Sequence, residues 1–350
     1  MISTLKVLIG RDTVPYGNLA LEKRLTLGVG AGECILFLWQ NRKTVVIGRN
    51  QNPWEECRVR QLQEENGFLA RRLSGGGAVF HDLGNLNFSF LVRKEAYDVP
   101  RQTEVILRAV RAMGIPAERD GRNDLTAEGR KFSGHAYYET RGCCCHHGTL
   151  MMDVRTEDLA RYLTVNREKL QSRGVSSVRS RVVNLKTYCP EISRETLEEQ
   201  LIRAFGETYG LPAEPYDPEC LDRVALARDT AFLASPDWLF PRRLPMTAAL
   251  ASRFAWGGIR MELAVAQGQV REAVCWSDAM DEALIRQAAG ALRGCPYEGP
   301  ALAARILALS AEQQDRRQIL ADLAAMIREQ VDPRQEEERK DRTGGSDANI

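Results

Sequence analysis

Apolar and polar positions follow two rhythms along the first two hundred residues. Apolar runs at residues 5–9, 34–39 and 44–47 have strand length, while residues 19–27 carry a helical pattern. The segment after Arg101 sets Val105, Ile106, Val110 and Met113 on one helical face and stops at Gly114. A further helix is predicted from Ser193, a capping residue, to Gly210. Between Leu69 and Val154, strand-length runs are separated by Gly, Asn and Asp clusters and not by a helix at every step. That spacing predicts a mixed or largely antiparallel sheet.

From Leu211 to about Leu250 the rhythm breaks. Pro212, Pro215, Pro218, Pro236, Pro241 and Pro245 interrupt any regular element, and a linker is expected there. Residues 258–266 and 269–277 then read as a hairpin turning at Gly268, followed by helices over 281–292 and 311–330. Residues 332–350 are charged and then Gly/Ser/Asp-rich, the composition of a disordered tail. The expected organisation is a large α+β (mixed α/β) domain over 1–245, including the linker from about 211, a small α+β domain over 246–331, and the tail.

Composition narrows the partners. A length of 350 residues suits one large and one small domain, and 44% hydrophobic with 27% charged residues is ordinary for a globular protein. A net charge of +1 argues against the broad basic field that nucleic acid requires. Residues 5–9 are too short for the apolar region of a signal peptide and run into Arg11 and Asp12; the longest apolar run, 34–39, is far too short for a membrane span. Nine cysteines, an odd number scattered except for Cys143-Cys144-Cys145, are read as reduced thiols of a cytoplasmic protein.

The densest chemistry lies in Arg71-Arg72-Leu73-Ser74-Gly75-Gly76-Gly77-Ala78-Val79-Phe80-His81-Asp82. Successive glycines let a backbone approach a ligand and aim its amides at anionic oxygens, and the arginines add fixed positive charge. The same run also suits a plain turn between strands. It is neither a Walker A loop nor a dinucleotide fingerprint, and Gly28-Val29-Gly30-Ala31-Gly32 follows a helix where the latter needs a strand, so that stretch is a loop. Further on, Gly121-Arg122-Asn123-Asp124-Leu125 precedes Gly129-Arg130-Lys131-Phe132-Ser133-Gly134. A hairpin turning at 127–130 brings Lys131 back beside Asp124. A lysine there can bridge a carboxylate and a phosphate, and an acidic or amide side chain can hold magnesium; a solvated surface pair is the bland reading. The run Cys143-Cys144-Cys145-His146-His147 offers no protein-only metal site, since five adjacent side chains alternate faces and lack metal-finger spacing.

These motifs, together with Val45-Val46-Ile47-Gly48-Arg49-Asn50-Gln51-Asn52, His146-His147-Gly148-Thr149-Leu150, Gly174-Val175-Ser176-Ser177-Val178-Arg179-Ser180-Arg181-Val182 and Arg253-Phe254-x-Trp256-Gly257-Gly258, resemble those of the lipoate–protein ligase A family in the same order. The resemblance implies a class II aminoacyl-tRNA synthetase/biotin–lipoate ligase-like catalytic domain with a small α+β accessory domain. It implies ATP-dependent activation of lipoate to lipoyl-AMP with Mg2+. Transfer to a lysine of apo lipoyl domains of 2-oxoacid dehydrogenase E2 subunits or of glycine-cleavage H protein would follow.

By that resemblance Lys131 contacts the lipoyl carboxylate and the phosphate. Arg72, Ser74, Gly75, Gly76, Gly77, Ala78, Val79, Phe80, His81 and His147 line the lipoate and nucleotide site. Ser176, Ser177, Val178, Arg179, Ser180 and Arg181 close on the adenylate, and Asn123 and Asp124 serve the phosphate and magnesium side. The chain departs from the family pattern at His135 and Tyr138. Two rival readings are an ATP-independent acyltransferase with a thioester on one of Cys143 to Cys145, and a non-catalytic paralogue that binds lipoyl domains.

Overall fold

The computed structural model describes residues 1–121, 123–164, 182–240 and 247–331. Arg122, the segment 174–181, Pro241, Pro245 and the tail 332–350 lie outside the described residues, so the expectations placed on them are not addressed by it. The chain divides into two compact units: Met1–Arg49 with Pro53–Pro241, and Asn50–Asn52 with Arg242–Ile350.

The first unit runs β1 (Thr4–Ile9), α1 (Pro15–Gly28), β2 (Glu33–Trp39), β3 (Thr44–Ile47), β4 (Phe68–Arg71), β5 (Val79–His81), β6 (Asn85–Arg93) and α2 (Val99–Ala112). It continues with β7 (Ala117–Asp120), β8 (Asp124–Ala127), β9 (Arg130–Thr140), β10 (Cys143–Met151), α3 (Arg194–Tyr209), β11 (Ala213–Pro215) and α4 (Arg223–Ala234). Among the described residues eight strands form one sheet in the order β11-β1-β2-β6-β10-β9-β8-β7, and β4-β3-β5 form a second, smaller sheet. The large sheet is mixed: β1 is parallel to β2 and β11, and every other pair is antiparallel.

Strands β2 and β6 are covered on both faces, which is why they read as nearly continuous apolar runs. Leu36, Leu38, Phe88, Phe90 and Cys144 pack with Val105, Ile106 and Val110 of α2 and Leu197, Leu201 and Phe205 of α3. The alternate residues Ile35, Phe37, Trp39, Leu91, Cys143 and Cys145 pack with Leu19, Ala20 and Leu25 of α1. The α3 ends match their sequence signals: Ser193 and Thr196 close a capping box, and Gly210 takes a left-handed φ of 67°.

Over its described residues up to 240, the expected linker is instead built into regular elements. Residues from 211 supply β11 at the edge of the large sheet and the 12-residue α4, which packs on α1 through Asp229, bonded to Lys23 at 2.8 Å and also to Arg24. Three of the prolines sit where they cost least: Pro215 on an edge strand, and Pro218 and Pro236 at the first positions of short helical turns; Asp222 caps α4 through Ala225 N–H.

In the second unit β12 (Ala248–Phe254), β13 (Gly257–Ala266) and β14 (Gln269–Ser277) form an antiparallel sheet covered by α5 (Glu282–Leu292), α6 (Gly299–Leu307) and α7 (Gln314–Val331). The hairpin turns at Gln267 and Gly268, both at positive φ. Strand β12 and helix α6 are not evident from the residue pattern; Pro300 opens α6 at its tolerated first turn.

Two stability tests follow from this packing. Leu36→Ala is expected to destabilise the chain by about 2–5 kcal/mol, and Ser193→Ala by about 1 kcal/mol. Urea denaturation of both variants measures the two effects, with the larger at Leu36.

Candidate active site

Strand β10 carries three of the features singled out above, and pleating sorts them. Cys143, Cys145 and His147 point to the α1 face, Cys144 and His146 to the α2 face.

On the α2 face four polar groups form a chain. His146 Nδ1 meets Gln102 Oε1 at 2.9 Å, His146 Nε2 meets His135 Nδ1 at 2.9 Å, and His135 Nε2 meets Ser133 Oγ at 3.1 Å. Burial and neighbouring positive charge drive both imidazoles down, His135 to about 3 and His146 well below its usual value, so both are neutral at neutral pH. His135, a departure from the family pattern, is thus one link of a buried chain ending two residues from Lys131 on β9.

On the α1 face a longer chain runs under the glycine loop. Trp39 Nε1 donates to Ser89 Oγ at 3.0 Å, Ser89 donates to Glu22 Oε1 at 2.6 Å, His147 Nδ1 meets the same oxygen at 2.8 Å, and His147 Nε2 meets Ser74 Oγ at 2.7 Å. Arg72 closes it, donating from Nε to Ser74 Oγ at 3.0 Å. Sequence reading missed Glu22; the available signal was a carboxylate at i+3 from Leu19 and i−3 from Leu25, on the helical face α1 buries.

The paired arginines shape the loop and are turned away from solvent. The Arg72 guanidinium also donates to the carbonyls of Gly75, at 2.6 Å, and Gly77, at 2.8 Å, while Arg71 donates to the carbonyls of Trp238 and Leu239, each at 2.9 Å. Burial lowers both to about 10, which leaves them charged at neutral pH. Gly76 adopts a φ of 90°. Its carbonyl would lie 2.1 Å from a Cβ on Gly48, so only glycine at 48 lets the loop fold down on β3. Gly75 and Gly76 are buried, whereas Gly77, Ala78 and Val79 are half-exposed. Phe80 turns inward and stacks on Tyr162 with ring centroids 5.5 Å apart. His81 is buried beside Asn41, held neutral near pKa 3 by burial and by Arg72.

The β8–β9 hairpin turns at Glu128 and Gly129, both at positive φ, the pair of conformations that two-residue hairpin turns favour. The two-residue turn pairs Lys131 with Thr126 and not with Asp124, and a register shift at the next pair leaves Phe132 as an extra residue, so that Asp124 faces Gly134. The Lys131 side chain nevertheless reaches Asp124 at 2.7 Å, with the two side chains 40% and 39% exposed. It does so by lying across Gly134, where a Cβ would come 2.8 Å from Nζ. Gly134, Ala136 and Tyr138 share the α1 face with His147, so Lys131 and Ser74 occupy the same side of the sheet. Val182 forms a parallel bridge with Lys131, and Val183 N–H donates to its carbonyl at 2.9 Å. The predicted adenylate residues 176–181 lie outside the described residues, but the chain re-enters beside Lys131. Asn123 is tied to β9 through its carbonyl, which accepts from His135 N–H at 2.8 Å.

The three adjacent thiols are buried. Burial pushes Cys144 up to about 11, and burial with Glu22 nearby pushes Cys145 well above the usual thiol range. Tyr138, the other departure, meets Thr26 Oγ1 at 3.1 Å.

A mixed sheet carries the glycine loop and Lys131 on one face, and two family matches say which class of protein this is. Residues 14–206 match the lipoyl protein ligase A/B catalytic domain family and residues 245–327 the bacterial lipoate protein ligase C-terminus family. The chain belongs to the lipoate–protein ligase family. Among similar solved structures, P. falciparum LipL1 in complex with lipoate is 26% identical with a TM-score of 0.81, covering 93% of this chain and 99% of that one. A bi-partite lipoate protein ligase from Thermoplasma acidophilum, described with its E2 lipoyl domain, is 24% identical with a TM-score of 0.59 over 70% of this chain and 99% of that one. A lipoate–protein ligase A bound with ATP is 23% identical with a TM-score of 0.58 over 68% of this chain and 98% of its own. The last two share the fold.

Three tests follow. Gly48→Ala is expected to lift the glycine loop and cost about 1–3 kcal/mol through strain, seen as a lowered thermal midpoint. Alkylation of the native protein at pH 8 is expected to label the exposed Cys220 and to spare Cys143, Cys144 and Cys145, as read by peptide mass mapping. The folded pKa of His135 lies below the value of an unfolded histidine, so the unfolded state binds more protons between pH 3 and pH 6.5. Stability is therefore lost as pH falls through that window, by about 1.4 kcal/mol per pH unit for each such histidine. His135→Gln should flatten the slope in denaturation curves taken across it.

Proposed function

We propose that this protein is an ATP-dependent lipoate–protein ligase that forms lipoyl-AMP and passes the lipoyl group to a lysine of an apo lipoyl domain or glycine-cleavage H protein. The observation that carries the reading is the placement of Lys131. Its ammonium lies across Gly134 on the sheet face that holds Ser74 and the glycine loop, with the 182–183 segment paired against its backbone. Relatives point the same way: one solved neighbour holds lipoate, another ATP, and a third is described with an E2 lipoyl domain.

In the first half-reaction a lipoate carboxylate oxygen attacks the α-phosphorus of ATP and pyrophosphate leaves. Lys131 exchanges Asp124 for the carboxylate and the α-phosphate, and its charge stabilises the negative charge that develops there. Amides of Gly75 to Gly77, in a loop shaped by Arg72 and Ser74, take the anionic oxygens, and Ala78, Val79, Phe80 and His81 continue that wall, with His147 beneath it. Asp124 and Asn123 offer the carboxylate and amide oxygens that a hard cation prefers, so they fit Mg2+, which would neutralise phosphate charge. Residues 176–181 close over the adenylate. In the second half-reaction a neutral lysine amine of the acceptor attacks the mixed anhydride, AMP leaves and a proton is lost; orientation supplies most of the acceleration. The second unit serves as the accessory domain.

Burial of all three thiols, and the raised pKa values of Cys144 and Cys145, weigh against a thioester on Cys143 to Cys145. The nine free cysteines support a reducing, cytoplasmic setting, and no helix among the described residues is long and apolar enough to cross a membrane.

The deciding experiment is the intact mass of an apo lipoyl domain incubated with this protein, lipoate and Mg-ATP. Ligation that requires ATP, falls by roughly 10²–10³-fold in Lys131→Ala, and survives replacement of Cys143, Cys144 and Cys145 by Ser is expected. Modification from an acyl thioester donor without ATP, abolished by the cysteine changes, would show the acyltransferase instead. Absence of both lipoate-dependent pyrophosphate–ATP exchange and modification from a thioester donor would leave only the binding paralogue.

A further inference from the structure

Cys145 and His147 lie two residues apart on β10 and so face the same side, where α1 brings Glu22 against both. One ligand atom from each of Glu22, Cys145 and His147 lies within 4.8 Å of the other two, and all three residues are buried. The set draws on only two of the five residues from 143 to 147, so the convergence problem that excludes the full run does not apply to it. Glu22 is completely buried, and while its Oε1 is engaged by Ser89 and His147, its Oε2 has no hydrogen-bond partner. A buried carboxylate oxygen left open is costly and calls for a cation or a donor. We propose that Glu22, Cys145 and His147 form a binding site for a divalent transition metal ion of the zinc class.

Charge and donor chemistry select that class. One carboxylate, one thiolate and one neutral imidazole balance a divalent cation, so the complex carries no net charge into the protein interior. A thiolate and an imidazole suit zinc or cobalt and not magnesium or calcium. With Nδ1 on the metal, His147 keeps its Nε2 for Ser74, 2.7 Å away, the kind of outer hydrogen bond that orients a metal-bound imidazole. Three protein ligands leave one tetrahedral position for a small molecule. Binding replaces the thiol proton of Cys145 by the metal and releases that proton. Because that proton is released, uptake strengthens as pH rises. An ion here replaces the Glu22–His147 hydrogen bond while Ser74 stays attached, so it anchors the start of the glycine loop from below.

The proposal is independent of the ligase reading, because it is read from metal content and spectra and not from ligation. The full-length protein, stripped with a chelator, is titrated with Co2+ and then challenged with Zn2+. One Co2+ per chain is expected, with sulfur-to-cobalt charge-transfer absorption that Zn2+ displaces. Cys145→Ser should abolish that band, and Glu22→Gln or His147→Gln should weaken binding roughly tenfold or more. Cys144→Ser, on the opposite face, should leave it unchanged. X-ray absorption of the zinc-loaded wild type should show one sulfur among nitrogen and oxygen scatterers, a measurement that needs no variant to fold. No uptake by the wild type, an unchanged band in Cys145→Ser, or a shell without sulfur overturns the site.

Discussion

Strand β10 is buried on both faces yet carries His146, His147 and three thiols, so each polar side chain has to be satisfied inside the protein. That constraint organises what lies around it. On one face it is met by Gln102 from α2 and His135 from β9; on the other by Glu22 from α1 and Ser74 from the glycine loop. Elements far apart in the chain are thereby held at fixed positions against one strand. Such networks specify geometry more than they add stability, since the desolvation of each polar group offsets most of the hydrogen-bond energy.

The glycine loop shows how the geometry reaches the site. Its start is held by His147, its carbonyls by Arg72, and its closest approach to β3 is permitted only by Gly48. Positive charge from the paired arginines, expected to face a ligand, is turned inward to shape backbone. Lys131 is then a cation that this face does offer to solvent, held at the surface by Asp124. A half-exposed ion pair of this kind is worth little in water, so it does not bind Lys131 tightly. In the proposed reaction, substrate anions displace Asp124 at small cost.

Much of this was legible in the sequence. The helix from Ser193 to Gly210, the second-unit hairpin and the turn at 127–130 carry capping and turn residues whose preferences are local. The order of the motifs resembled the lipoate–protein ligase family, and the family matches over 14–206 and 245–327 bear out that membership. The misreadings have local causes as well. A density of prolines signals breaks, but prolines at helix starts and on an edge strand break nothing, so α4 and β11 went unseen.

What the sequence determined by itself is therefore what short-range chemistry dictates: periodicity, caps, turns, and a set of motifs whose order resembles a known family. Only the tertiary structure decided which side of a strand each residue serves and what meets it there. His146 and His147 are neighbours in sequence, yet pleating sends them to opposite faces and into separate networks. Glu22 carries no motif, and it gains its role because α1 packs over β10, a contact spanning 125 positions in the chain. A strand fixes the direction of its own side chains, but partners that arrive from elsewhere are chosen by packing, and packing is a property of the whole fold.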